Sequence, residues 1–170
     1  MPLNYFGAFL VFIACSAVGF IMAGNYRREE KLLSELIRIL DNMECEMAYR
    51  LTPLPQMCRN AAQIASGSVG KVFLALAEEL DGQISPDAAC CMQIALSSVS
   101  DIPELLCNPL TELGNSLGRY DLDGQIKEIA AVKRRCTADL EEMCRNRDKR
   151  VRSYQTLGLC AGAGLAIILL

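Results

Sequence analysis

Histidine and tryptophan are both absent from the sequence. Without histidine there is no Ser–His or Cys–His nucleophile pair and no His-bearing metal cluster, and the commonest general base is missing. Charge is absent as well, but only from the ends. The first charged side chain is Arg27 and the last is Arg152, so all 17 basic and 20 acidic side chains of the 170-residue chain fall between them. Aromatics are scarce, at 6%, and the basic residues are interleaved with acids, which leaves no stripe suited to nucleic acid. No stretch alternates apolar and polar residues with β-branched enrichment, and this predicts an all-α fold.

The uncharged ends are the first positive signal. Residues 3–23 are apolar with small residues interspersed, long enough to cross a hydrocarbon core about 30 Å thick at about 1.5 Å per residue. No Lys or Arg precedes the run, as a secretory signal requires; Arg27, Arg28 and Lys31 follow it instead. At the other end, residues 153–170 carry no charge and come directly after Arg145, Arg147, Lys149, Arg150 and Arg152. The sequence therefore predicts transmembrane helices over 3–23 and 153–170. A helical domain over 26–152 lies between them, on the cytoplasmic side by the bias of basic residues. The nine cysteines form no CxxC pair, which fits thiols kept in a reducing compartment. Gly158 and Gly162 make a GxxxG spacing on the second apolar helix, either a close-contact surface or filler.

Between the ends the spacing is helical throughout. Leu33, Leu36, Leu40, Met43 and Met47 recur at alternating threes and fours, a heptad seam that requires a second helix alongside. Its acidic flank, Glu29, Glu30, Glu35, Asp41, Glu44 and Glu46, is expected in solvent. Pro53 and Pro55 stop this helix, with Thr52 expected to cap the next one and Pro53 at its first position. Shorter helices follow over 54–65 and 69–80, then one opened by Ser85-Pro86-Asp87, then one over 102–117 closed by Gly118 in a left-handed conformation. From Gly124 onward there is no proline. Ile126, Ile129, Cys136, Leu140 and Met143 give the last helix an apolar face before it becomes uncharged. The two long helices are expected to run antiparallel as a stalk, the first with a bend at Gly24-Asn25.

Three suggestive patterns fail on their details. The run from Ser66 to Lys71 lacks the glycine and hydroxyl that a phosphate loop needs at positions 65 and 72. Asp121-Leu122-Asp123-Gly124 has its glycine two residues early for a calcium loop, and capping of the last helix accounts for it better. The neighbouring acids Glu78-Glu79 and Glu141-Glu142 diverge on a helix and do not converge on one atom. The expectation is a non-enzyme with no catalytic, cofactor or metal site.

The pattern LGxxLGxxDxxxQ from Leu113 to Gln125, the run Glu44-Cys45-Glu46-Met47-Ala48-Tyr49-Arg50-Leu51-Thr52-Pro53-Leu54 and the two flanking apolar segments together resemble the stage III sporulation protein AB family of endospore-forming bacteria. The likeness covers essentially the whole chain. It implies a cytoplasmic domain similar to the helical domains of type II secretion and type IV pilus inner-membrane platform proteins. It also implies a place in the channel complex between mother cell and forespore, on the mother-cell side of the outer forespore membrane. The implied partners are the membrane, a secretion-type cytoplasmic ATPase and other stage III sporulation channel subunits, with homo-oligomerisation left open and no nucleic acid. The family motifs fall on Glu46, Tyr49, Thr52, Pro53, Leu54, Leu113, Gly114, Leu117, Gly118, Asp121 and Gln125, as partner contacts or as packing and turn positions. The other reading is a membrane-anchored helical signalling or adaptor protein, against which stands the shortness of the sequence beyond the two apolar segments.

Overall fold

The computed structural model describes residues 2–50, 52–82 and 87–169, with the side chains of 2–9, 11–12, 15–16, 158–159, 162 and 165–169 left out. It is all-helical: α1 (Pro2–Tyr49), α2 (Leu54–Ile64), α3 (Gly67–Gly82), α4 (Ala88–Ser98), α5 (Glu104–Ser116) and α6 (Leu122–Leu169), with no strand among the described residues. α1 stays helical through Gly24 and Asn25. α3 begins two residues before the apolar spacing suggested, because Gly67 takes a φ of +66°, available to glycine without a Cβ penalty, and turns the chain directly into the helix.

The chain divides into two compact units, Lys31–Leu140 and Met1–Glu30 with Glu141–Leu170. In the first, the seam residues Leu33, Leu36, Leu40 and Met43 are fully buried and Met47 nearly so, with Ile39 added on the same side. α6 contributes Ile129, Val132 and Cys136, and the short helices contribute Met57, Phe73, Leu76, Met92, Leu106, Leu110 and Leu113. Each large side chain removed from water in this way favours folding by about 1.5–3 kcal/mol. Burial pushes the thiol of Cys58 up to about 12 and that of Cys136 up to about 11, so both are neutral packing groups.

Polar ties run from the long helices to their neighbours. The Lys133 ammonium on α6 donates to Asp41 Oδ1 (2.8 Å) and Glu44 Oε2 (2.6 Å) on α1, and these bonds raise its pKa. That contribution to stability is complete below the unfolded lysine value and is lost as pH rises through the higher folded one. Arg135 forks onto both carboxylate oxygens of Glu112 on α5, at 2.6 and 2.7 Å. Arg59 on α2 pairs with Asp81 on α3. From α1, Arg38 Nη2 donates to the Ile64 carbonyl (2.7 Å), and Glu35 accepts from the Ser66 hydroxyl (2.7 Å) and the Ser66 N–H (3.4 Å). The Ser66 to Lys71 run is thus the entry to α3, and the Ser66 donors that open it meet a protein carboxylate.

In the second unit Ala23 and Tyr26 of α1 are buried with Val151 of α6, and Met143 packs against them. The Tyr26 hydroxyl donates to the Met143 carbonyl at 2.9 Å, and the Arg150 guanidinium sits 5.8 Å from the ring centre. Arg147 pairs with Glu30 at 3.1 Å. Among the described residues no helix is long and apolar enough to cross a membrane. Many side chains of 3–23 and 153–170 lie outside the described ones, as do the surroundings of Gly158 and Gly162 on α6.

Candidate interaction surface

The Leu113 to Gln125 motif forms the joint between α5 and α6, and each of its residues has a structural task. Leu113 is fully buried. Gly114 lets α5 approach α4: a Cβ there would lie 2.5 Å from Met92 Cβ and 2.8 Å from its Cγ. Leu117, 3% exposed, ends the helix, and its N–H bonds the Leu113 carbonyl at 3.1 Å. Gly118 follows at φ +75°, the left-handed position expected from the sequence. Asp121 then caps α6, its Oδ1 accepting from the Gly124 N–H (3.1 Å), while Gln125 Nε2 donates back to the Tyr120 carbonyl (2.8 Å). Gly118→Val should therefore cost about 1–2 kcal/mol in urea unfolding of the full-length chain followed by helical circular dichroism, with Gly118→Asn costing less. Equal midpoints for Val and wild type would remove this account of the turn.

The other motif frames the turn from α1 to α2, and here two expectations are corrected. Glu46 is not solvated: it is 6% exposed, and its carboxylate accepts from Asn42 Nδ2 (3.0 Å) and, at both oxygens, from Asn60 Nδ2 (3.1 Å each). The amide from α2 substitutes for water and fixes α2 on α1. Thr52 does not cap α2. Pro53 occupies the cap position at φ −56° with no side-chain hydrogen bond, and its carbonyl accepts from the Met57 N–H at 2.9 Å. Pro55 in the first turn has no N–H, which leaves one donor fewer to satisfy.

The two motifs meet. A cleft of about 690 Å³ is lined by Leu54 together with Gly114, Leu117 and Gly118, and by Asp87 and Ala88 at the start of α4. The Asp87 carboxylate is committed to the Cys90 N–H at 2.8 Å. Tyr49, at 85% exposure, and Pro53 project into solvent, and Tyr120 is half exposed. Of the motif residues, Glu46, Leu113, Gly114, Leu117, Gly118, Asp121 and Gln125 are accounted for by packing and turns, whereas Tyr49 makes the chain no visible contribution. Sequence reasoning missed the partners Asn42 and Asn60. Asn42 was signalled by its i,i+4 spacing to Glu46, but nothing local pointed to Asn60. No cluster of His, Cys, Asp or Glu able to hold a metal occurs among the described residues, where all cysteines are free thiols.

The family described as Stage III sporulation protein AB matches residues 4–170. The chain is 26% identical to the Stage III sporulation protein AB of Bacillus subtilis (strain 168), over 99% of each chain. A solved structure of Stage III sporulation protein AB superposes with a TM-score of 0.63 at 22% identity, covering 71% of this chain and 96% of its own, a likeness of fold. Since the family match runs from residue 4 to the last residue, the chain belongs to the stage III sporulation protein AB family, a family of sporulation proteins rather than of known enzymes.

Proposed function

We propose that this protein is a non-catalytic platform in the channel complex between mother cell and forespore. Residues 3–23 and 153–170 anchor it in the outer forespore membrane. The helical unit between them faces the mother-cell cytoplasm, where it docks a secretion-type ATPase and links it to other stage III sporulation channel subunits. One observation carries the docking surface: Tyr49, a large aromatic of the motif that runs into α2, is 85% exposed at the last position of α1. An exposed aromatic with no packing role is the kind of anchor that dominates binding energy at interfaces.

The test is purification of the tagged full-length chain from sporulating cells, with the secretion-type ATPase quantified by mass spectrometry. Recovery should persist when 3–23 and 153–170 are exchanged for unrelated apolar helices. It should drop about tenfold or more for Tyr49→Ala, which leaves the fold untouched. Recovery by the membrane helices without residues 31–140, or full recovery with Tyr49→Ala, would move the docking surface elsewhere.

A further inference from the structure

Past residue 143, α6 sorts its side chains by face. Met143 and Val151 turn toward Tyr26 and Ala23. Arg145, Lys149, Arg152, Thr156 and Cys160, spaced by four, three, four and four, follow one stripe on the other side, and all are exposed. Arg147 is held by Glu30, and Arg150 lies over the Tyr26 ring. Among the described residues no ion pair holds Arg145, Lys149 or Arg152, and between 145 and 152 Asp148 is the one acid among five cations.

Below Arg152 the stripe opens into a groove of about 420 Å³ lined by Arg152, Ser153, Thr156, Leu157 and Cys160. Its chemistry is graded along the helix: a guanidinium, then hydroxyls, then a leucine and a thiol. Over the eight residues from Arg152 to Cys160 the gradient spans about 12 Å, the depth from a headgroup to the upper acyl chain. The Thr156 hydroxyl donates to the Arg152 carbonyl at 2.6 Å, which leaves Ser153 and Arg152 as donors toward the groove and Lys149 one turn above. Side chains on a helix lean toward its N-terminus, here the end away from the apolar run, so Arg152 and Lys149 reach back to headgroup level.

Resting on the membrane reading above, we propose that this stripe is an anionic phospholipid site. The headgroup phosphate sits against Arg152, Lys149 and Ser153, and one acyl chain lies along Leu157 and Cys160. A phosphate bearing net negative charge complements the unpaired cations, whereas a zwitterionic headgroup brings its own ammonium into the same field.

The full-length chain is reconstituted in phosphatidylcholine vesicles doped with spin-labelled phosphatidylglycerol or spin-labelled phosphatidylcholine, and the motionally restricted fraction is compared. Wild type should prefer phosphatidylglycerol by roughly threefold, and the Lys149→Gln, Arg152→Gln pair should abolish the preference while Arg152→Lys alone keeps it. Restricted lipid without headgroup preference overturns the proposal and leaves the membrane reading standing, as does a preference untouched by the glutamine pair. That is also the result expected if the stripe instead meets an acidic protein segment. Absence of any restricted lipid sinks the membrane reading itself, and the lipid site with it.

Discussion

Gly114→Val should lower the urea midpoint of the full-length chain by an amount equivalent to about 3 kcal/mol, the upper range for forcing extra methyl groups into a packed contact. The cause is local. Even the first added carbon falls within 2.5 Å of Met92 Cβ, and a backbone-attached Cβ on each side leaves no flexible chain end to swing away. α4 and α5 must separate, and separation opens the packing around Met92 and Leu113, both fully buried. Two further variants separate this from a general weakness of glycine replacement. Asn115→Ala, at the exposed neighbouring position, should leave the midpoint unchanged. Gly114→Ala combined with Met92→Gly should be clearly less destabilising than the sum of the two singles, because the second change removes the atoms that the first would strike. Additive effects would show that the close approach is not what residue 114 provides.

The second large effect is expected at the α1–α2 junction. Glu46→Leu should cost about 2–3 kcal/mol, since it strands the amides of Asn42 and Asn60 that now donate to a charged acceptor. Asn60→Leu should cost at least as much, because it leaves an almost fully buried carboxylate with one amide donor in place of two. The double replacement by leucine should recover part of the loss, since apolar groups then face each other across α1 and α2 and only the Asn42 amide is left without its acceptor. Equilibrium unfolding of the four proteins under one set of conditions measures this coupling. Independent effects would mean that the carboxylate is hydrated in solution, as its flank position in the sequence suggested.

The contrast between these two sites and the rest of the fold shows what a one-dimensional reading can reach. The seam from Leu33 to Met47, the α4 start at Asp87, the left-handed turn at Gly118 and the cap at Asp121 all depend on residues within one or two turns of each other, and spacing alone exposed them. The burial of Glu46 depends on Asn60, brought in from another helix. The intimacy of Gly114 with Met92 depends on how two helices cross. Neither leaves a periodic trace. Thr52 went astray for a related reason: a hydroxyl before a proline has the composition of a cap, but the backbone geometry made Pro53 the capping residue. The cleft shared by Leu54 and Gly118 was invisible because it is a property of how four helices stack. For the membrane segments, hydropathy carried the expectation.

One contact bears on what kind of motion the ends of α1 and α6 can convey. The Tyr26 hydroxyl reaches a particular carbonyl, that of Met143, while its ring lies under Arg150. Sliding one helix past the other by a single turn, about 5.4 Å, would take the phenol off its acceptor and the guanidinium off its face together. Piston-like travel between these two segments is therefore opposed at its first step. A pair latched in this way suits a fixture that holds its place under load better than a rod that carries messages by shifting lengthwise.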